Sequence, residues 1–245
     1  MSIYEHYKAS IVENLNLPND QLNFKSDPRY QYVLEHVDKI QGKEYLDLVK
    51  KEFSDFYEEN KNSIINLCKK NDSYGRPVQS YFFDFCSCSP TNLRYLYQSL
   101  LILKYMKDID LTSVKVIEIG GGYGGLCLFV KTLAKYFNIQ IDSYIIYDLE
   151  EAEILQQKYL RIHGINLTDQ NKISEGSFLI SNYAFSELPE ELRKEYEEKV
   201  INKYCDCGFL VWNACPLYQF IEGKTIKNEA ERPSTSPNNL YVYFK

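Results

Sequence analysis

Residues 115–125 constrain this chain more than any other stretch. The run Lys115 to Ile119 leads into Gly120, Gly121, Gly122, Tyr123, Gly124 and Gly125, so five of the seven residues after Glu118 are glycine. Glycine carries no Cβ, and the backbone can turn tightly and pass close to a ligand. From Tyr123 to Phe137 the composition suits the start of a helix. The unit reads strand, glycine loop, helix, with N–H groups and a positive dipole end facing whatever lies above the loop. Asp148 follows Gly120 by 28 residues and closes the next apolar run, Tyr144 to Tyr147. An acid there suits the two hydroxyls of a ribose, which points to a nucleoside-bearing cofactor. Glycines on this reading serve the ligand, because they weaken the backbone and bring no packing of their own.

Gly120, Gly122 and Gly125 also match the spacing of a dinucleotide-binding loop, so spacing alone leaves a nicotinamide enzyme open. Glu118 argues against it. A carboxylate two residues before the first glycine suits a cofactor with a cationic amino group and opposes a pyrophosphate. The unit starts about 115 residues into the chain, and the remaining length suits one seven-stranded fold better than a dinucleotide domain with a catalytic domain added. The pattern resembles motif I of the class I S-adenosylmethionine (SAM) methyltransferases. That resemblance implies an α/β fold: a Rossmann-like seven-stranded sheet with helices on both faces.

Composition narrows the rest. Hydrophobic residues make up 44% and charged residues 25%, as in ordinary globular proteins. No apolar run approaches a membrane span, and the first residues lack a signal-peptide core, so a cytoplasmic location is expected. A net charge of −6 without a basic cluster argues against a nucleic-acid substrate on electrostatic grounds, and none is expected. The 22 tyrosines suit sugar binding, and equally a compositional bias. Seven cysteines without a secretory signal are expected to be free thiols. Their two C-x-C pairs, Cys86/Cys88 and Cys205/Cys207, are tighter than usual zinc spacing, and no metal is expected.

Two regions are expected: a helical N-terminal region over 1–110, serving as cap or dimer surface, and a SAM-binding domain over 111–245. In the first, Tyr4, Tyr7, Ile11, Val12 and Leu15 keep helical period until Pro18. Asp27-Pro28 opens a short helix, residues 43–70 form the longest candidate, and Ser89-Pro90 reads as an N-cap with proline at the first helical position. In the second, strands are expected at 114–119, 143–147, 172–174, 177–181, 208–213, 224–229 and 240–244. Helices are expected at 123–137, 149–163 and 188–204. The last two strands are joined only by the turn Pro233 to Pro237, which makes an antiparallel hairpin.

The segment Ser181 to Leu188 follows an apolar strand. Together with Ile117 to Leu126, and with Pro90 to Arg94, it resembles a bacterial and viral group of sugar O-methyltransferases over roughly residues 75–245. The resemblance implies SAM as cofactor and a sugar or glycan hydroxyl as acceptor. Glu118, Gly120, Gly121 and Gly122, with Tyr123 and Gly124 close by, would hold the amino-acid end of SAM. Asp148 would take the ribose hydroxyls, Leu149 would lie against adenine, and Asn182 and Tyr183 would approach the sulfonium. Transfer to a hydroxyl also calls for a general base. Glu187 is the first candidate, and a first-turn acid complementing the helix dipole is the plain alternative. His163, His6, His36 and Asp84 are weaker candidates. Asn92 and Arg94 read as a solvated face or as ligand contacts, and Glu231 with Arg232 as a border of the acceptor site. Two other readings stay open: a phenol or amine methyltransferase, and a non-catalytic SAM-binding scaffold in glycan assembly.

Overall fold

The structure is a computed structural model that describes residues 3–245. The chain forms two compact units. One contains the residues up to Leu103 with 122–133 and 150–166, and the other contains 104–121, 134–149 and 167–245.

The first unit is helical. It contains α1 (Ile3–Leu15), α2 (Pro28–Gln31), α3 (Lys39–Glu52), α4 (Ser54–Asp72), the first part of α5 (Pro90–Asp108), α6 (Gly125–Leu133) and α7 (Glu150–Ile162). Helix starts follow local chemistry. Asp27 Oδ1 accepts the Arg29 N–H at 2.9 Å ahead of α2, and Asp38 forms a capping box with Gln41 ahead of α3. The helix expected over 43–70 is two helices, parted at Phe53 (φ −129°, ψ 38°). Ser54 and Asp55 explain the break, since short polar side chains compete with a helix interior and favour its first turn. Strands β1 (Ser80–Tyr81) and β2 (Ser87–Cys88) form a small antiparallel hairpin, with Asp84 in its turn at φ +57°. Tyr30, Tyr45, Tyr57, Tyr97, Tyr123 and Tyr159 are fully buried here, so much of the tyrosine content is core.

The second unit carries a mixed six-stranded sheet of order β4-β3-β5-β6-β8-β7. Its strands are β3 (Ser113–Ile119), β4 (Gln140–Tyr147), β5 (Ser177–Asn182), β6 (Cys205–Trp212), β7 (Ile226–Ala230) and β8 (Leu240–Phe244). The first four run parallel, and β8 lies antiparallel between β6 and β7 as the final hairpin. The α/β class stands with six strands in place of the expected seven. The missing strand is 172–174, where Gln170–Lys172 forms a 3-10 turn. Thr168 and Gln170 account for the loss. Tyr144 O accepts the Thr168 N–H at 2.8 Å, Thr168 Oγ1 accepts the Tyr144 N–H at 3.3 Å, and Gln170 Nε2 donates to Ile146 O at 2.9 Å. An edge whose polar groups are taken this way offers no ladder to another strand.

After β5 comes the single turn α8 (Ala184–Glu187), then α9 (Glu190–Tyr196), which continues through a wide turn at Glu197–Ile201 into α10 (Asn202–Tyr204). Ile117, Leu179, Phe185, Leu210, Trp212, Phe220 and Phe244 lie in the core of this unit. Cys205 and Cys207 are both buried on β6, and among the described residues no disulfide is formed. Among the described residues no group of three or more His, Cys, Asp or Glu is placed to hold a metal ion, and no helix is long and apolar enough to cross a membrane.

Gly208 on β6 pairs with Leu179 and Phe244. A Cβ there would lie 2.5 Å from the Phe244 ring and 2.8 Å from Leu179 O, which is backbone and cannot swing aside. Gly208→Ala is expected to lose about 1–3 kcal/mol of stability, the usual range for overpacking a core. Urea unfolding measures it, and an unchanged midpoint would contradict the contact.

Candidate functional site

In the second unit the sheet order reverses at β3: the chain leaves β3 for β4 on one side, while β5 lies on the other. Ligands of parallel sheets bind outside the carboxyl ends of strands at such a reversal. Gly120 follows β3, Asp148 follows β4, Asn182 ends β5 and Asn213 follows β6. The structure therefore gathers Glu118, Gly120, Asp148, Asn182 and Tyr183 on one edge of this sheet.

The turn after β5 is tied to its neighbours by side chains to which the sequence reading gave no role. Ser181 Oγ donates to Ile119 O at 2.8 Å and accepts the Phe185 N–H at 3.0 Å. Ser186 Oγ donates to Tyr183 O at 2.9 Å and accepts the Asn213 N–H at 3.0 Å. Tyr183 itself sits at φ +69°, ψ −41°, a sparsely populated region for a bulky side chain. Its N–H donates to Val211 O at 2.8 Å, and its hydroxyl donates to Glu231. Glu231 is 2% exposed and also accepts from the Thr235 N–H (3.0 Å), Thr235 Oγ1 (2.5 Å) and Asn239 Nδ2 (3.1 Å). The final hairpin turn thereby holds a strained tyrosine in place. Only the motif position of Ser181 and Ser186 could have flagged them in the sequence, while nothing local marks Glu231 as the partner of Tyr183.

Glu118 is 2% exposed, and its Oε2 accepts the Tyr144 hydroxyl at 2.7 Å. Burial pushes its carboxyl from the ordinary 4.5 up to about 7; the charge of Asp148 adds to the rise, and the Tyr144 hydrogen bond opposes it. No lysine or arginine pairs with Glu118 among the described residues. Asp148 is half-buried, with Oδ1 accepting the Leu149 N–H at 2.8 Å; Leu149 is half-buried beside it. Glu187 is exposed at the end of α8, and its Oε1 accepts from Asn213 Nδ2.

The glycine loop has a second explanation. Cβ atoms on Gly120, Gly121, Gly122, Gly124 and Gly125 would fall 2.0, 2.7, 2.6, 2.8 and 2.5 Å from Ala184, Ile146, Leu34, Leu160 and Tyr95. The expectation that these glycines bring no packing is thus corrected: each permits a close approach within its own unit. Gly120 (φ +78°) and Gly122 (φ +60°) need glycine for backbone conformation as well.

Gly122, Tyr123 and Gly124 belong to the first unit. Gly122 O accepts Gln156 Nε2 at 2.9 Å. The Tyr123 side chain turns into the core, where its hydroxyl accepts Asn71 Nδ2 at 2.9 Å and its ring lies 4.2 Å from Lys25 Nζ. What this tyrosine leaves to a ligand is backbone. Asn92 and Arg94 form no solvated face. Both are buried: Asn92 Nδ2 donates to Asp72 Oδ1 at 2.8 Å, and Arg94 Nη2 donates to Leu34 O at 2.9 Å. His163 packs edge-on against Tyr159, ring centroids 4.7 Å apart, and burial holds its pKa near 4, so its role here is packing.

No protein-family model and no curated protein matches the chain. Among solved structures it is similar to the plantazolicin methyltransferase BpumL in complex with SAH, with 12% identity and a TM-score of 0.40 over 77% of this chain and 98% of that one. It is also similar to a SAM-dependent methyltransferase from Aquifex aeolicus (14% identity, TM-score 0.35, 58% and 86% covered). A third similar structure is M. capricolum TrmK with S-adenosyl-homocysteine (10% identity, TM-score 0.36, 58% and 66% covered). At these identities and scores the likeness decides neither fold nor chemistry, which rest on the chain's own elements and residues.

The raised pKa of Glu118 has a stability consequence. The folded chain holds this proton to higher pH than the unfolded chain does, so its contribution is fully present below about 4.5 and is lost as pH rises toward 7. The loss amounts to roughly 3 kcal/mol at 1.36 kcal/mol per pKa unit. Denaturation of the wild type and Glu118→Gln from pH 4.5 to 7.5 is expected to show the wild type weakening relative to the variant. A pH-independent difference would show that Glu118 does not titrate there.

Proposed function

We propose that the chain is a SAM-dependent methyltransferase that transfers the methyl group to a hydroxyl of a sugar, free, nucleotide-linked or in a glycan. The observation that carries the reading is Glu118: a buried carboxyl at the reversal of the sheet, beside the charge of Asp148, with no basic partner among the described residues. Two acids on adjacent strands make the edge negative. Such an edge repels a pyrophosphate and favours a ligand with cationic groups. SAM carries an ammonium and a sulfonium, and when bound it supplies a methyl group on a good leaving group.

The chain's residues take the following parts in this reading. Ionised Glu118, with the backbone of Gly120 and Gly121, holds the amino-acid end. Asp148 accepts from the ribose hydroxyls, with Leu149 against the base. Asn182 and the strained Tyr183 offer oxygen atoms to positive charge, and Ser181, Ser186 and Glu231 keep that turn from relaxing. Glu187, exposed and oriented by Asn213, takes the acceptor's proton as its oxygen gains the methyl group.

Calorimetric titration of SAM and S-adenosylhomocysteine tests the cofactor. Asp148→Ala is expected to weaken binding by roughly 10- to 100-fold, the equivalent of losing hydrogen bonds to a charged group. At pH 7, binding to the wild type is expected to release a fraction of a proton as Glu118 ionises, seen as a heat that depends on the buffer. Glu118→Gln should abolish that release. Failure of the wild type to bind either compound would reject the reading.

Glu187→Gln is expected to lower turnover by about 100-fold or more while SAM affinity stays unchanged, in line with the usual contribution of a general base. Equal turnover in both proteins would remove Glu187 from the mechanism.

A further inference from the structure

Among the described residues one side-chain hydrogen bond reaches the Glu118 carboxyl, from the Tyr144 hydroxyl to Oε2 at 2.7 Å. The contact follows from strand register. β3 and β4 run parallel, with Val116 opposite Tyr144 and Glu118 opposite Ile146. Side chains alternate between faces along a strand, so these four share one face of the sheet, and Tyr144 stands diagonally behind Glu118. A long aromatic side chain spans such a diagonal. The Tyr144 ring is wholly buried along it, and the hydroxyl at its tip supplies the donor. A phenylalanine would fill the same space and donate nothing.

Tyr144 is itself pinned. Tyr144 O accepts the Thr168 N–H at 2.8 Å, and the Tyr144 N–H donates to Thr168 Oγ1 at 3.3 Å. Gln170 Nε2 holds Ile146 O at 2.9 Å, and Ile146 Cγ2 lies 2.7 Å from where a Gly121 Cβ would stand. The stretch that replaces the seventh strand therefore supports both β4 residues that border Glu118. Other neighbours bring no compensating charge. Asp148, beyond the end of β4, adds a like charge, and β5 places Ile180 opposite. A Cβ on Gly121 would stand 3.3 Å from Glu118 Cδ, so the glycine keeps the side of the carboxyl clear.

We infer that Tyr144 is a positioning residue for the cofactor carboxylate: anchored on β4 by Thr168, its hydroxyl holds Glu118 Oε2 and fixes the orientation in which Glu118 receives the cofactor's amino group. The inference rests on the SAM reading and extends it. In this scheme Tyr144 acts only through Glu118. A hydroxyl that donates to a carboxylate also favours its ionised form, so removing the hydroxyl makes Glu118 harder to ionise.

The test is Tyr144→Phe in the full chain, which keeps the ring that fills the core. S-adenosylhomocysteine is titrated by calorimetry from pH 6 to 9. The midpoint for Glu118 ionisation is expected to rise from about 7 by roughly 1–2 pH units, the usual worth of a hydrogen bond to a charged group. Affinity then follows the ionised fraction, falling about 5- to 50-fold at pH 7 and returning to within about two-fold of the wild type at pH 9. The ligand's own amino group titrates alike in both proteins and cancels from the ratio. In a Glu118→Gln background, Tyr144→Phe is expected to change affinity by less than about two-fold at every pH.

Urea unfolding gives a readout without ligand. The stability that Glu118 loses as pH rises should level off near 7 in the wild type and continue to about 8–9 in Tyr144→Phe. An affinity loss of equal size at every pH, or an unmoved unfolding profile, would overturn the inference and leave the cofactor assignment standing. A wild type that binds no S-adenosylhomocysteine would reject the cofactor reading and the positioning role together.

Discussion

No side chain fits at residue 120. A Cβ there would lie 2.0 Å from the methyl group of Ala184, and the φ of +78° disfavours any other residue. This contact joins the exits of β3 and β5, the pair of strands at which the sheet reverses. Ser181 secures the same junction by bridging Ile119 O and the Phe185 N–H. The direction of the turn at 182–184, the strain at Tyr183 and the reach of Tyr183 to Glu231 depend on that close approach. A larger residue at 120 would press on Ala184 at the junction of these two exits.

The chemistry proposed for the second unit follows from where charge has been buried. A carboxyl in the core is expensive to ionise unless a cation or several donors face it. Glu118 has the Tyr144 hydroxyl and the repulsion of Asp148, so it stays poised near neutrality instead of being fully ionised. Glu231 is equally buried and meets four donors, from Tyr183, Thr235 and Asn239. The contrast separates two roles for the same residue type: Glu231 is satisfied by the fold, and Glu118 is left for a partner that the fold does not supply.

In the first unit Asp72 is satisfied by the fold in the same way as Glu231. Asp72 accepts from the Ser89 N–H at 2.8 Å and from Asn92 and Gln79, and Asn71 pairs with Tyr123 and Tyr159. These groups form a closed network around Lys25, which donates to Asn71 O and Tyr159.

Local signals were legible without the fold. The strand, glycine loop and helix at 113–133, Asp148 after β4, the start of α5 at Pro90, the end of α1 before Pro18 and the closing hairpin all follow from period, caps and turns that act over a few residues. The break at Phe53 has a local cause too, in Ser54-Asp55, but the helical period over 43–70 masked it. Contacts between distant residues decided the rest. The seventh strand is absent because Thr168 and Gln170 occupy the β4 edge. The glycines serve packing because Ala184, Ile146, Leu34, Leu160 and Tyr95 converge on them. Asn92 and Arg94 are buried because α4 and the segment after α2, distant in sequence, supply their partners. By itself the sequence determined the order of elements and the acids that end β3 and β4. Only the tertiary structure decided which of those acids is satisfied, since proton affinity and unfilled hydrogen bonds depend on the groups that surround an atom in space.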